Sequence, residues 1–209
     1  MPRPKILDPD KSYTFCSYFE MAQEPEDILA EFGYRLNQAT LSLPASHGAL
    51  ELLPELLRRL ERTLPVVTLT SEMARRETLV APILLEIAAF CQCQLRIEYS
   101  LAVNQWLKGS LDYLLRSTQN FLVVKAKQDD LSRGFTQMAV ELIALAEWDE
   151  TQDFLYGAVT IGEVWRFGCL ERSSQTITQD LSLFRVPADL EGLVSAIVGM
   201  MEREAVEVV

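Results

Sequence analysis

Three stretches with the length and make-up of β-strands, enclosed between two segments of helical periodicity, constrain the fold of this chain more than any other feature. From Gln94 to Val103 the apolar residues Leu95, Ile97 and Tyr99 recur at every second position, and Lys108 to Arg116 and Asn120 to Lys127 suit two further strands. The sequence Ser117-Thr-Gln-Asn120 suits a turn and predicts that the last two form a hairpin. Upstream, Ser71 is a good N-cap, with Glu72 in the first turn of a helix that should run to about Cys91 and kink at Pro82. Downstream, Leu131, Phe135, Met138, Leu142 and Leu145 line one face of a helix spanning Leu131 to Trp148. A hairpin from Leu155 to Leu170, turning near Ile161-Gly162-Glu163, and a terminal helix after Pro187-Ala188-Asp189 complete the pattern. This order of elements belongs to an α/β domain with a mixed β-sheet flanked by helices.

The first 70 residues read differently. Glu26 to Leu36 suits a short helix after Pro25, and Leu53, Leu56, Leu57, Leu60 and Leu64 form a helical stripe, while Ala39 to Pro44 suits a strand or a loop equally well. Both parts are mildly acidic, with 7 basic and 10 acidic groups before Ser71 and 12 and 20 after it, so charge marks no boundary. The punctuation at Ser71 does, and it divides the chain into a mainly helical N-terminal extension, 1–70, and an α/β domain, 71–209. The extension can bury its apolar residues within the chain or across a homodimer.

Composition excludes whole classes of chemistry. His47 is the only histidine and sits in the turn-like Pro44-Ala-Ser-His-Gly48, where it is expected to be ordinary surface. A Ser-His-Asp triad, a multi-histidine zinc site and an HNH-type nuclease centre all need an imidazole fixed by secondary structure. Cys16, Cys91, Cys93 and Cys169 include no Cys-x-x-Cys, and Cys91 and Cys93 are too close for a relaxed disulfide, so reduced thiols and a cytoplasmic setting are expected. No hydrophobic signal core follows Met1-Pro-Arg-Pro-Lys, and Glu86 interrupts the longest apolar stretch, Thr78 to Phe90, so neither export nor a membrane span is expected. A net charge of -11 repels polyanions, and contact with nucleic acid would have to use a local site.

One such site is suggested by strand alternation. Val123, Lys125 and Lys127 share one face of their strand, and on the preceding strand Asp112 stands among leucines where an acid is disfavoured. Glu77 falls between Val80, Ala81, Leu84 and Ala88 on the apolar side of its helix, so its carboxylate should face the sheet. Glu98 on the first strand is a weaker candidate. Arg133, Gln137 and Glu141 recur every four residues on the following helix, which is either a functional row or a solvated polar stripe.

The run Leu107-Lys-Gly-Ser-Leu-Asp112-Tyr-Leu-Leu, Phe121-Leu-Val-Val-Lys-Ala-Lys127-Gln-Asp-Asp, Arg133-Gly-Phe-Thr-Gln137-Met-Ala-Val-Glu141 resembles the PD-(D/E)XK, or restriction-endonuclease-like, family. Gly157-Ala-Val-Thr-Ile-Gly-Glu-Val-Trp165-Arg-Phe-Gly168 resembles the hairpin that follows the helix in some type I restriction nuclease subunits. The resemblance covers about Glu72 to Gly168. It implies a restriction-endonuclease-like fold, with Asp112 as the metal-binding acid of the second core strand, Lys127 as the catalytic lysine and Gln137 as the glutamine of the next helix. Glu77 would supply the supporting glutamate, and the reaction would be Mg²⁺-dependent phosphodiester hydrolysis.

Where the pattern has glutamate this chain has Lys125, which inverts the charge at a metal ligand. At about 4 Å and an effective dielectric of about 20 each unit-charge interaction is worth ~4 kcal/mol, as much as a millimolar metal site in total. Two classes follow: a nuclease with a weakened or degenerate metal site, in which Lys125→Glu should strengthen metal binding, or a non-catalytic binding or assembly module. In the second, Lys125 and Lys127 would form a cationic pocket for a phosphate or a partner's carboxylate.

Overall fold

The computed structural model describes residues 5–46, 48–117, 120–127 and 129–202. His47 and the middle of the expected turn, Thr118 and Gln119, lie outside the described residues. Eight strands among them form one mixed sheet: β1 (Arg35–Ala39), β2 (Gln94–Ala102), β3 (Lys108–Arg116), β4 (Phe121–Ala126), β5 (Phe154–Thr160), β6 (Val164–Glu171), β7 (Thr176–Asp180) and β8 (Phe184–Arg185). The order across the sheet is β1-β7-β6-β5-β4-β3-β2, with β8 paired to β6. The two meanders β2-β3-β4 and β5-β6-β7 are antiparallel, and they join through the parallel pair β4 and β5.

That parallel pair needs a crossover, supplied by α6 (Leu131–Trp148). Asp130 caps it, its Oδ1 accepting the Arg133 N–H at 2.9 Å. With α1 (Phe15–Glu20) and α2 (Pro25–Ala30), α6 covers one face of the sheet around Leu114, Val123, Val159 and Ile177. On the other face α3 (Leu53–Thr63), α5 (Ala81–Phe90) and α7 (Leu190–Glu202) pack on Tyr113, Leu122, Val124 and Phe167. Because α1 and α2 lie over α6, every residue from Gly134 to Ala146 is buried. The helix therefore has no solvated polar stripe at Gln137 and Glu141.

Two other expectations are modified. The helix before β2 is broken into α4 (Glu72–Arg75), capped by Ser71, a wide π-helical turn Arg76–Val80, and α5. Pro82 has no N–H to offer the preceding turn, and its ring crowds the carbonyl four residues back, so the widening falls just ahead of it. The helix expected from Glu26 to Leu36 ends at Ala30, because Gly33 takes a φ of +80° and the N–H groups of Gly33 and Tyr34 return to the carbonyls of Ala30 and Leu29. That glycine-terminated cap turns the chain into β1, which pairs in parallel with β7. The first 70 residues supply α1, α2 and α3 together with an edge strand, and they pack on both faces of the sheet. No helix among the described residues is long and apolar enough to cross a membrane.

Candidate functional site

β3 pairs with β2 over Lys108 to Leu111 and Tyr113 to Arg116, the ladder skipping Asp112 opposite Glu98, whose φ is +52°, and with β4 only from Tyr113 to Arg116. Beyond Tyr113 the two strands part, and the Asp112 carboxylate fills the gap: its Oδ2 accepts the Ala126 N–H at 2.9 Å, replacing a ladder carbonyl. Its Oδ1 accepts a 2.6 Å hydrogen bond from Lys125 Nζ. The ammonium lies 3.6 Å from Oε1 of Glu141, and that oxygen takes a 3.0 Å hydrogen bond from Gln137 Nε2. Asp112, Lys125, Gln137 and Glu141 are buried at 6, 4, 0 and 0% exposure, so four polar side chains form one cluster inside the sheet and helix sandwich. Two oxygens in it, Gln137 Oε1 and Glu141 Oε2, meet no hydrogen-bond donor.

The charges in the cluster set each other. Burial works against the Lys125 ammonium, yet the Glu141 and Asp112 carboxylates outweigh it and raise its pKa above the ordinary value. Burial pushes Glu141 up to about 7, against the pull of Lys125. Lys127, just past β4, is half-buried, and burial and then Lys125 lower its pKa. Its ammonium sits 4.0 Å from the ring centre of Phe19 on α1, and no carboxylate among the described residues lies within ion-pair distance. α1 reaches this place because Gly109 in β3 has no side chain: a Cβ there would come within 2.8 Å of Phe15.

The structure thus brings Asp112, Lys125 and Gln137 together and sets Lys127 at their border. Glu77 is not with them. It is exposed, in the wide turn before α5, and acts on the Tyr113 hydroxyl, whose ring belongs to the core on the opposite face from Asp112. The apolar stripe expected to bury it is interrupted by the π-helical turn, which rotates the residues before Val80 relative to those after it. Glu98 is held outside by Arg76 at 2.6 Å and by the Ser110 hydroxyl at 3.1 Å. The acid that does enter the cluster is Glu141, visible in the sequence only as the i+4 partner of Gln137.

This set does not fit a divalent metal. The Lys125 ammonium occupies the near oxygen of Asp112, and no three His, Cys, Asp or Glu side chains among the described residues come together as a ligand set. No protein-family profile, curated protein or solved structure matches the chain.

Proposed function

We propose that the chain is a non-catalytic binding or assembly module on a restriction-endonuclease-like scaffold. Support for the scaffold comes from the order α5, β2-β3-β4, α6, β5-β6, which is the order that the sequence resemblance implies, and from Asp112 and Gln137 belonging to one cluster, linked through Lys125 and Glu141. The observation that carries the functional reading is Lys125 Nζ at 2.6 Å from Asp112 and 3.6 Å from Glu141. A dication would have to displace a buried, tethered cation from its counterions, and a millimolar site supplies only ~4 kcal/mol for doing so. Neutralised internally, Lys125 is not a docking group. Lys127 remains as the one lysine of the pair that can meet a phosphate or carboxylate on a partner.

A second reading, a Mg²⁺-dependent phosphodiester hydrolase acting on nucleic acid with a degenerate site, draws on Lys127 standing beside Asp112. Incubation of the purified protein with supercoiled plasmid and 10 mM Mg²⁺ or Mn²⁺ distinguishes them. The module reading expects no nicking above that of Asp112→Asn; nicking by wild type that Asp112→Asn abolishes would establish the hydrolase instead.

A further inference from the structure

The buried cluster holds more acceptors than its ammonium can serve. Lys125 offers three N–H donors, one of them committed to Asp112 at 2.6 Å, and the distance to Glu141 Oε1 is already 3.6 Å. Glu141 Oε2 and Gln137 Oε1 are left with no donor at all, although both residues are wholly buried. Buried oxygens without partners are unusual in folded proteins. A carboxylate from β3 and a carboxylate from α6, the latter held by the Gln137 amide, thus bracket the ammonium with oxygens, and oxygen-rich surroundings are those that hard cations take.

We propose that Asp112 and Glu141, the latter held in place by Gln137, constitute a hard-cation site occupied by the protein's own Lys125 ammonium, which acts as a resident, covalently tethered cation. The inference rests on the module reading and deepens it: the scaffold has no need of a divalent ion because β4 delivers a positive charge to the same oxygens. The tether also fixes the geometry, since Lys125 and Ala126 are adjacent and both bond to Asp112. Removing the ammonium while keeping the apolar stem should leave two buried carboxylates facing a space that a divalent ion can fill.

The test uses Mn²⁺ as probe on the full chain, with the loss of its free electron-paramagnetic signal and the melting temperature as readouts. Wild type is expected to leave the Mn²⁺ signal and its own Tm unchanged. Lys125→Met is expected to melt lower without metal, to bind one Mn²⁺, and to regain about 4 °C when Mn²⁺ is at roughly ten times its Kd. Adding Asp112→Asn or Glu141→Gln to Lys125→Met should weaken that binding at least tenfold. The inference is overturned if folded Lys125→Met binds no Mn²⁺, or if the double variants bind as well as it does. It is equally overturned if Lys125→Met folds neither with nor without Mn²⁺ while Asp112→Asn/Lys125→Met folds, since the cage would then tolerate no foreign cation. Nicking by wild type would sink the module reading, whereas these outcomes concern an inert wild type, so the two failures are separable.

Discussion

Glu141 Oε1 stands 3.6 Å from Lys125 Nζ, while Oε2 of the same carboxylate meets no donor. The carboxyl is therefore held between one attraction and complete burial, and its pKa rises from 4.5 to about 7. A carboxyl raised on folding binds a proton in the native state that the unfolded chain has lost, so stability falls as pH climbs from 4.5 to about 7. The fall attributable to this group is ~3 kcal/mol at most. Asp112 on β3, Lys125 on β4, Lys127 just past it and Cys16 on α1 act on the same cluster, and the raised pKa of Lys125 keeps its contribution intact below pH 10.5. Urea unfolding at half-unit steps from pH 5 to 8 should show the decline, and Glu141→Gln should flatten it. An unchanged slope in Glu141→Gln would assign the effect elsewhere.

Asp112 has two separate partners, and its substitutions should rank accordingly. Asp112→Ala leaves a buried ammonium without its nearest counterion and the Ala126 N–H without an acceptor, a loss of ~3 to 5 kcal/mol. Asp112→Asn retains an oxygen for the N–H and should lose less. Equilibrium denaturation reads the ranking directly, and equal losses would mean that the hydrogen bond to Ala126 contributes nothing.

Close packing predicts a different pair of effects. An added Cβ at Gly199 on α7 would lie 2.6 Å from the backbone nitrogen of Ala45 and 2.7 Å from the carbonyl carbon of Pro44, atoms that cannot swing aside. At Gly33 the nearest atom would be the Gln175 amide at 3.8 Å, so there only the positive φ opposes a side chain. Gly199→Ala should therefore destabilise by about 1 to 3 kcal/mol through overpacking, and Gly33→Ala by about 1 kcal/mol through its backbone conformation. Differential scanning calorimetry of the two variants checks the difference.

All four cysteines are free thiols, and only Cys16 is exposed. Burial pushes Cys91 up to about 12 and raises Cys93 as well, so neither forms a thiolate readily. A disulfide-exchange reagent should titrate one thiol quickly in the native protein and four after denaturation without reductant. Cys16→Ser should remove the fast phase alone.

The α/β order from Ser71 onward was legible because its elements announce themselves locally. Leu131–Trp148 is capped by Asp130 and marked by a 3.6-residue stripe, and the hairpin from β5 to β6 turns at Gly162, whose φ is +88°. β1 and β7 were not legible. Each is five residues long, β1 has no buried residue and β7 buries two polar ones, Gln179 and Asp180, and their pairing brings Arg35 beside Thr176, a relation with no local signature. At the site, Asp112, Lys125 and Gln137 could be gathered from strand alternation and the resemblance. Glu141 could not, because an acid spaced as the i+4 partner of Gln137 reads as part of a solvated row until the buried ammonium it faces on β4 is known. Glu77 erred for the opposite reason: a uniform helical wheel takes no account of the wide turn ahead of Pro82.

The parallel pairing of β1 with β7 carries a consequence for the order in which the chain is made. Synthesis runs from the N-terminus, so Arg35–Ala39 leaves the ribosome long before its hydrogen-bonding partner Thr176–Asp180 has been translated. The apolar faces of α1 and α2 wait in the same way for α6, and Phe15 waits for Gly109. A nascent chain arrested before Thr176 therefore displays an unpaired strand edge at β1, one arrested before Leu131 also leaves Phe15, Ile28 and Leu29 without α6, and native closure of the sheet waits on the synthesis of β7.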